Sequence, residues 1–177
     1  SYIVMYSWPA KQAYKRRKYQ TSAREIAEHM ERVRELYESY YPPTKKIEFP
    51  YSVVRICSTP EEFRRYSNTV DKGLLGWFST DSKELVLFLD NDAERTKAVA
   101  SHEGWHQYSD TYFDGIELPR WFDEGAGDFF GAFEWSEGNW RYEISGMRKL
   151  DIKTIVNDEA YVPLQEIVTW ETNRFYG

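Results

Sequence analysis

Residues 99–110, VASHEGWHQYSD, constrain the architecture more than any other stretch of the chain. Two of its three histidines, His102 and His106, stand four residues apart, with Glu103 directly after the first. Residues four apart on an α-helix lie nearly above one another, their β-carbons about 5–6 Å apart, so a helix here aims two imidazoles at one point. Glu103 then projects about 100° round the helix from His102, beside that point rather than onto it. This is where a general base acting on metal-activated water belongs. A catalytic zinc bound by such a pair still needs a third protein ligand and an open fourth position, so a second element must be brought against the helix.

That element is predicted in LPRWFDEGAGDFFGAFEW, residues 118–135. Glu124 lies eighteen residues after His106, and the intervening TYFDGIELP holds a Gly and a Pro, enough for a turn and a helix start. A helix from about Arg120 to Phe133 places Trp121, Phe122, Ala126, Phe129 and Phe130 against a core and puts Glu124 and Asp128 on one face. Glu124 would complete a His, His, Glu set, while Asp128 would accept the other ring N–H of a ligand histidine and fix its tautomer. Taken alone, Glu124 reads as an exposed helical carboxylate; beside H-E-x-x-H at this spacing the ligand reading prevails. Gly125 and Gly127 each cost about 1 kcal/mol in a helix relative to Ala, which implies close backbone packing there.

Both motifs fall on segments read independently as helices within an alternation of element types. Residues 2–7 (YIVMYS) and 47–57 (IEFPYSVVRIC) read as strands, the second interrupted by Pro50. Between them, Thr21 or Ser22 caps a helix to about Tyr40, with Ile26, Met30, Val33, Leu36 and Tyr37 at helical spacing. Thr59 and Pro60 open a short helix, and residues 74–79 and 84–89 flank TDSK as a hairpin. Asn91 or Asp92 starts the histidine-bearing helix, which runs to about Tyr108. Downstream, SEGN is a turn before a strand at NWRYEI, and VPLQEIVTWE is a short helix beginning near Pro163.

Composition bounds the rest. With 177 residues, 41% hydrophobic and 18% aromatic, the chain folds, and one domain over 1–177 is expected. A net charge of −6 and the lack of a basic stripe disfavour nucleic acid, and the short run KRRK at Lys15 to Lys18 reads as a solvated face. Cys57 is alone, so no intrachain disulfide or thiolate cluster is expected. His29 reads as a surface or half-buried helical residue rather than a ligand. No apolar run approaches the roughly 20 residues of a membrane span. Because the chain starts at Ser1, compartment stays open, and so does oligomeric state.

His102-Glu103-Gly104-Trp105-His106-Gln107, followed by Leu118-Pro119-Arg120-Trp121-Phe122-Asp123-Glu124-Gly125, resembles the gluzincin zinc metallopeptidases of the thermolysin-like clan. The likeness is closest to bacterial predicted peptidases with H-E-x-x-H-Q followed by L-P-x-W-x-x-E-G, and it covers about residues 50–135. It implies an α+β, zincin-like fold: a twisted mixed sheet packed on the active-site helix and on a second helix carrying the third ligand. It implies one Zn²⁺ held by His102, His106 and Glu124, with Glu103 as general base and Asp128 in the outer shell. The implied substrate is a peptide or protein, laid along the strand at 84–89 as a sheet edge beside the cleft. The pattern is broken in one respect, since no histidine follows His106 to stabilise the oxyanion; Tyr142 and Tyr161 are candidates, each also readable as a packing residue. Gluzincins generally continue with helices that wall the cleft, so a chain closing at RFYG is expected to be either a minimal domain or one truncated at its C-terminus. The reading from another class is a module that keeps zinc for structure or binds peptide without cleaving it; retention of Glu103 argues against it, because a structural site needs ligands but no base.

Overall fold

The computed structural model of the protein describes residues 1–8, 14–46, 51–67, 73–89, 92–113, 116–144 and 146–175. The β-branched and apolar runs form a four-stranded sheet from β1 (Tyr2–Tyr6), β2 (Ser52–Cys57), β3 (Gly76–Phe78) and β4 (Glu84–Phe88). Its order is β1-β2-β4-β3, with β1, β2 and β4 parallel and β3 antiparallel to β4, so this is a mixed sheet in an α+β chain. The long helix α1 (Arg16–Tyr40) links the first two strands, and α2 (Pro60–Ser67) follows β2.

Two expectations are corrected. The strand at 84–89 is not an edge: β4 pairs with β2 on one side and β3 on the other, and among the described residues the edge strands are β1 and, beside β4, β3. A hairpin does not say which of its strands faces outward; the long-range pairing of β2 with β4 decides it. Helix α1 starts at Arg16, not at a Thr21 or Ser22 cap, because Arg16, Arg17 and Lys18 are good helix formers that extend the helix, solvent-exposed, without a side-chain cap. Of the strand expected over 47–57, residues 47–50 lie outside the described segments.

One face of the sheet is covered by α1 and by α3 (Ala93–Tyr112), the other by α2. Helix α1 contributes Ala23, Ile26, Met30, Val33, Leu36 and Tyr37, which meet Val54 and Ile56 of β2 and Leu85 and Leu87 of β4. Opposite, Phe63 of α2 packs with Cys57 and Val86. His29 shares the apolar stripe of α1 and is buried, with Nε2 2.8 Å from Ser101 Oγ; the half-exposed position expected for it is corrected.

Helix α3 is capped by Asp92, whose carboxylate accepts the N–H groups of Glu94 and Arg95 at 3.0 and 3.1 Å. Three contacts seat it. Gln107 donates to Val53 O and Lys83 O at 3.0 and 2.9 Å, Tyr37 Oη donates to Ser101 O, and Trp105 stacks on Phe130 with centroids 5.1 Å apart. Phe130 belongs to α4 (Arg120–Gly131), which packs along α3. This helix stops two residues short of Phe133, because Phe133 opens the hairpin β5 (Phe133–Ser136) and β6 (Asn139–Tyr142). Its turn places Glu137 and Gly138 at φ 53° and 82°, the left-handed pair a two-residue hairpin loop requires. Beyond it lie α5 (Gly146–Asn157), α6 (Leu164–Ile167) and α7 (Thr172–Phe175). Helix α5 was not expected from the sequence: its residues from Arg148 onward are all exposed, so no apolar periodicity marks it.

Candidate metal centre

Helix α3 sets His102 and His106 one turn apart, and α4 brings Glu124 across to them. The two Nε2 atoms are 3.2 Å apart, and Glu124 Oε2 lies 3.3 Å from His102 Nε2 and 3.7 Å from His106 Nε2. One donor atom from each of the three falls within 4.8 Å of the others, so His102, His106 and Glu124 form a group that could hold a metal ion. The close crossing depends on Gly127, where a β-carbon would stand 3.0 Å from His102 Cε1 and Nδ1. Gly125 has open space instead, with nothing within 4 Å of an added β-carbon, so the close packing expected of both glycines holds only for Gly127.

Each imidazole is held from behind by its own carboxylate. Asp128 Oδ1 lies 3.0 Å from His102 Nδ1, as the sequence suggested, and takes a second hydrogen bond from Arg148 Nη2 at 2.6 Å. Asp123 Oδ2 lies 3.0 Å from His106 Nδ1, in ion-pair range but off the line of a well-formed N–H···O bond. Asp123 Oδ1 accepts the Trp105 indole N–H at 3.0 Å, while Arg120 Nη1 approaches Asp123 and Glu124 at 3.4 and 3.6 Å. Sequence reasoning passed over Asp123. Requiring one carboxylate for each ligand imidazole would have found it, since it directly precedes Glu124 on the same helix.

Electrostatics and geometry both fit a cation here. Burial alone would depress both imidazoles, but Asp128 and Glu124 raise His102 to about 9, and Asp123 and Glu124 raise His106 to about 10. With both rings protonated, two N–H donors would face one another across 3.2 Å; one divalent cation would instead take both nitrogens and the carboxylate as ligands. Asp128, bonded to His102 Nδ1, and Asp123, beside His106 Nδ1, both favour the tautomer in which Nε2 is free to take an ion.

Glu103 stands beside this group and not within it. Burial pushes its carboxyl above the ordinary range, against the opposing pull of His102 and His106. Its Oε2 accepts the backbone N–H of Phe78, on β3, at 3.1 Å. A cleft of about 610 Å³ reaches the site at His102 and Glu103, walled by Leu74, Leu75, Val99 and Arg148 among others. Neither Tyr142 nor Tyr161 lines it. Tyr142 packs on Phe129 and Phe133, and both tyrosines are exposed, so the structure brings neither to the site. Cys57 is buried in the sheet with its thiol pushed up to about 12. Among the described residues no helix is long and apolar enough to cross a membrane. No family model, curated protein or solved structure matches the chain.

Proposed function

We propose that the protein is a zinc-dependent metallopeptidase of the gluzincin type, with a zincin-like arrangement of sheet, ligand-bearing helix and crossing helix. Glu103 carries this reading. Three ligands suffice for a structural metal, whereas a half-buried carboxylate next to the ligand group, facing a cleft, is the arrangement of a general base. Two imidazoles and one carboxylate, beside a cleft that reaches His102 and Glu103, are also the donor set of a catalytic zinc.

His102, His106 and Glu124 would hold the ion, which when bound would polarise the scissile carbonyl and lower the pKa of water towards 7. Glu103 takes a proton from the attacking water and returns it to the leaving amine. Asp123 and Asp128 keep both ligand rings in one tautomer and orientation through the cycle. Leu74, Leu75 and Val99 give the cleft an apolar wall against which a substrate side chain excludes water. An extended peptide adds to the open edge of β3, the strand nearest the base.

Metal analysis of the wild type and of Glu103→Ala, combined with peptide-library cleavage by both, tests the proposal. The expected result is stoichiometric zinc in both proteins and cleavage only by the wild type. A wild type that neither carries metal nor can be reconstituted with zinc, manganese or cobalt overturns the site. Cleavage by Glu103→Ala at the wild-type rate overturns the mechanism. Zinc in both proteins with cleavage by neither favours a structural or peptide-binding module.

A further inference from the structure

Glu103 is held by more than its own helix. In the β3–β4 pair, Gly76, Trp77 and Phe78 oppose Leu87, Val86 and Leu85. The register continues through Phe88 N–H donating to Leu75 O at 2.8 Å and Ser79 N–H donating to Glu84 O at 2.9 Å. Hydrogen-bonded and non-hydrogen-bonded pairs alternate along an antiparallel ladder, so residues 75, 77 and 79 bond to β4, while Gly76 and Phe78 turn their N–H and C=O groups to the open edge. The outward N–H of Phe78 is the one that meets Glu103 Oε2. Two residues earlier, a β-carbon on Gly76 would overlap Val99 Cγ1 and stand 2.7 Å from Glu103 Cγ. The absent side chain is the space in which the glutamate stem lies.

We infer that β3 positions the general base: the Phe78 N–H fixes the direction of the Glu103 carboxylate, and Gly76 leaves room for its stem. Oε2 is thereby occupied, and Oε1, with no hydrogen-bond partner among the described residues, is the oxygen left for proton transfer. A peptide adding to this edge finds both backbone groups of Gly76 and the carbonyl of Phe78, while the Phe78 N–H stays with the base. Substrate register and base position are therefore set by the same three-residue strand. What the base does rests on the peptidase reading; how it is held does not.

Two measurements on the full chain with zinc separate these. Amide hydrogen exchange is expected to show Phe78 protected in the wild type and, on the order of tenfold, less protected in Glu103→Ala, as befits loss of a bond to a charged acceptor, with Trp77 and Val86 unchanged. Equal Phe78 exchange in both proteins overturns the inference, whether or not the protein cleaves peptides. The second measurement replaces the Phe78 amide by an ester, which removes the N–H and leaves every side chain in place, alongside Gly76→Ala. Both are expected to lower kcat by about a hundredfold, the cost of a misplaced catalytic group, with KM and zinc affinity unchanged. Wild-type kcat in the ester protein, or a kcat loss matched by loss of zinc, overturns it. Absence of peptidase activity in the wild type defeats the proposed function and leaves the exchange result to decide how Glu103 is held.

Discussion

The two glycines of WFDEGAGD offer a sharp test, because the same substitution is expected to have opposite consequences two residues apart. Replacing Gly by Ala inside a helix favours the helix by about 1 kcal/mol. At Gly125 nothing stands within 4 Å of the new methyl, so that gain is realised in full and Tm rises by about 2–4 °C for a chain of this size. At Gly127 the methyl meets His102 at 3.0 Å from Cε1 and Nδ1 and 3.1 Å from Cγ, so the ring must give by a few tenths of an ångström. The ring is pinned at Nδ1 by Asp128, and its Nε2 is the donor atom, so any tilt lengthens one contact or the other. Disturbing such a support costs roughly 10–100-fold in metal affinity, or about 1.4–2.7 kcal/mol. In Gly127→Ala the helix gain and the crowding nearly cancel in the metal-free protein, and the penalty appears in the holo form. Thermal melts with chelator and with saturating zinc, plus titration against a chromophoric chelator, read both quantities. Gly127→Ala with wild-type zinc affinity, or Gly125→Ala with the same loss as Gly127→Ala, would refute the packing argument.

Asp123→Asn and Asp128→Asn should each weaken zinc by roughly 10–100-fold in the same titration, because each takes the carboxylate from one ligand imidazole; a loss for Asp128→Asn alone would remove Asp123 from the site. Gln107→Leu should lower stability by about 2–4 kcal/mol in urea unfolding, since the buried amide is the donor to both Val53 O and Lys83 O. Burial lowers His29 to about 4 against 6.5 unfolded, so the unfolded chain binds the extra proton between those values and stability is lost as pH falls through that window, by about 2 kcal/mol between pH 7 and 5. Comparing unfolding free energies of the wild type and His29→Gln over that range should show the mutant's dependence flatter by this amount; parallel curves would mean His29 is not buried neutral.

What was legible in the sequence was local. The core stripe of α1, the cap at Asp92, the helix after Thr59 and the His102, His106, Glu124 set all follow from spacing along one or two helices. His29 was legible too, and misread: it sits three residues after Ile26 and four before Val33, on the buried stripe. The order of the sheet was not legible, because nothing in ELVLF distinguishes a strand with two neighbours from one with a single neighbour. Nor was the end of α4, where FFGAFEW continues a helical pattern until the pairing of Phe133 with Tyr142 converts its last residues to strand. Asp123 escaped for a different reason. Its partners, Trp105 and His106, lie eighteen and seventeen residues away in chain, and only the crossing of α3 and α4 brings them together.

The helix that carries the site has a far weaker amphipathic pattern than α1 or α4, which pack beside it, and this follows from its task. Its inward residues include Thr96, Ser101, Gln107 and Ser109 besides His102, Glu103 and His106, so burial of apolar surface alone cannot fix its rotation. Named contacts fix it instead: Gln107 on two backbone carbonyls, Tyr37 on Ser101, Trp105 between Phe130 and Asp123, and Phe78 on Glu103. Every one of these joins the residues around the ligands to a different neighbour, namely β2, the turn before β4, α1, α4 and β3. A motif needing two imidazoles and a carboxylate in set directions is thus oriented by directional bonds, where a hydrophobic stripe would tolerate a turn of several degrees. The converse holds for stability. With Nε2 atoms 3.2 Å apart amid four carboxylates, the group would gain its counter-charge from a bound ion, and an ion held only by the folded chain would stabilise it by an amount that grows with the logarithm of its concentration over Kd.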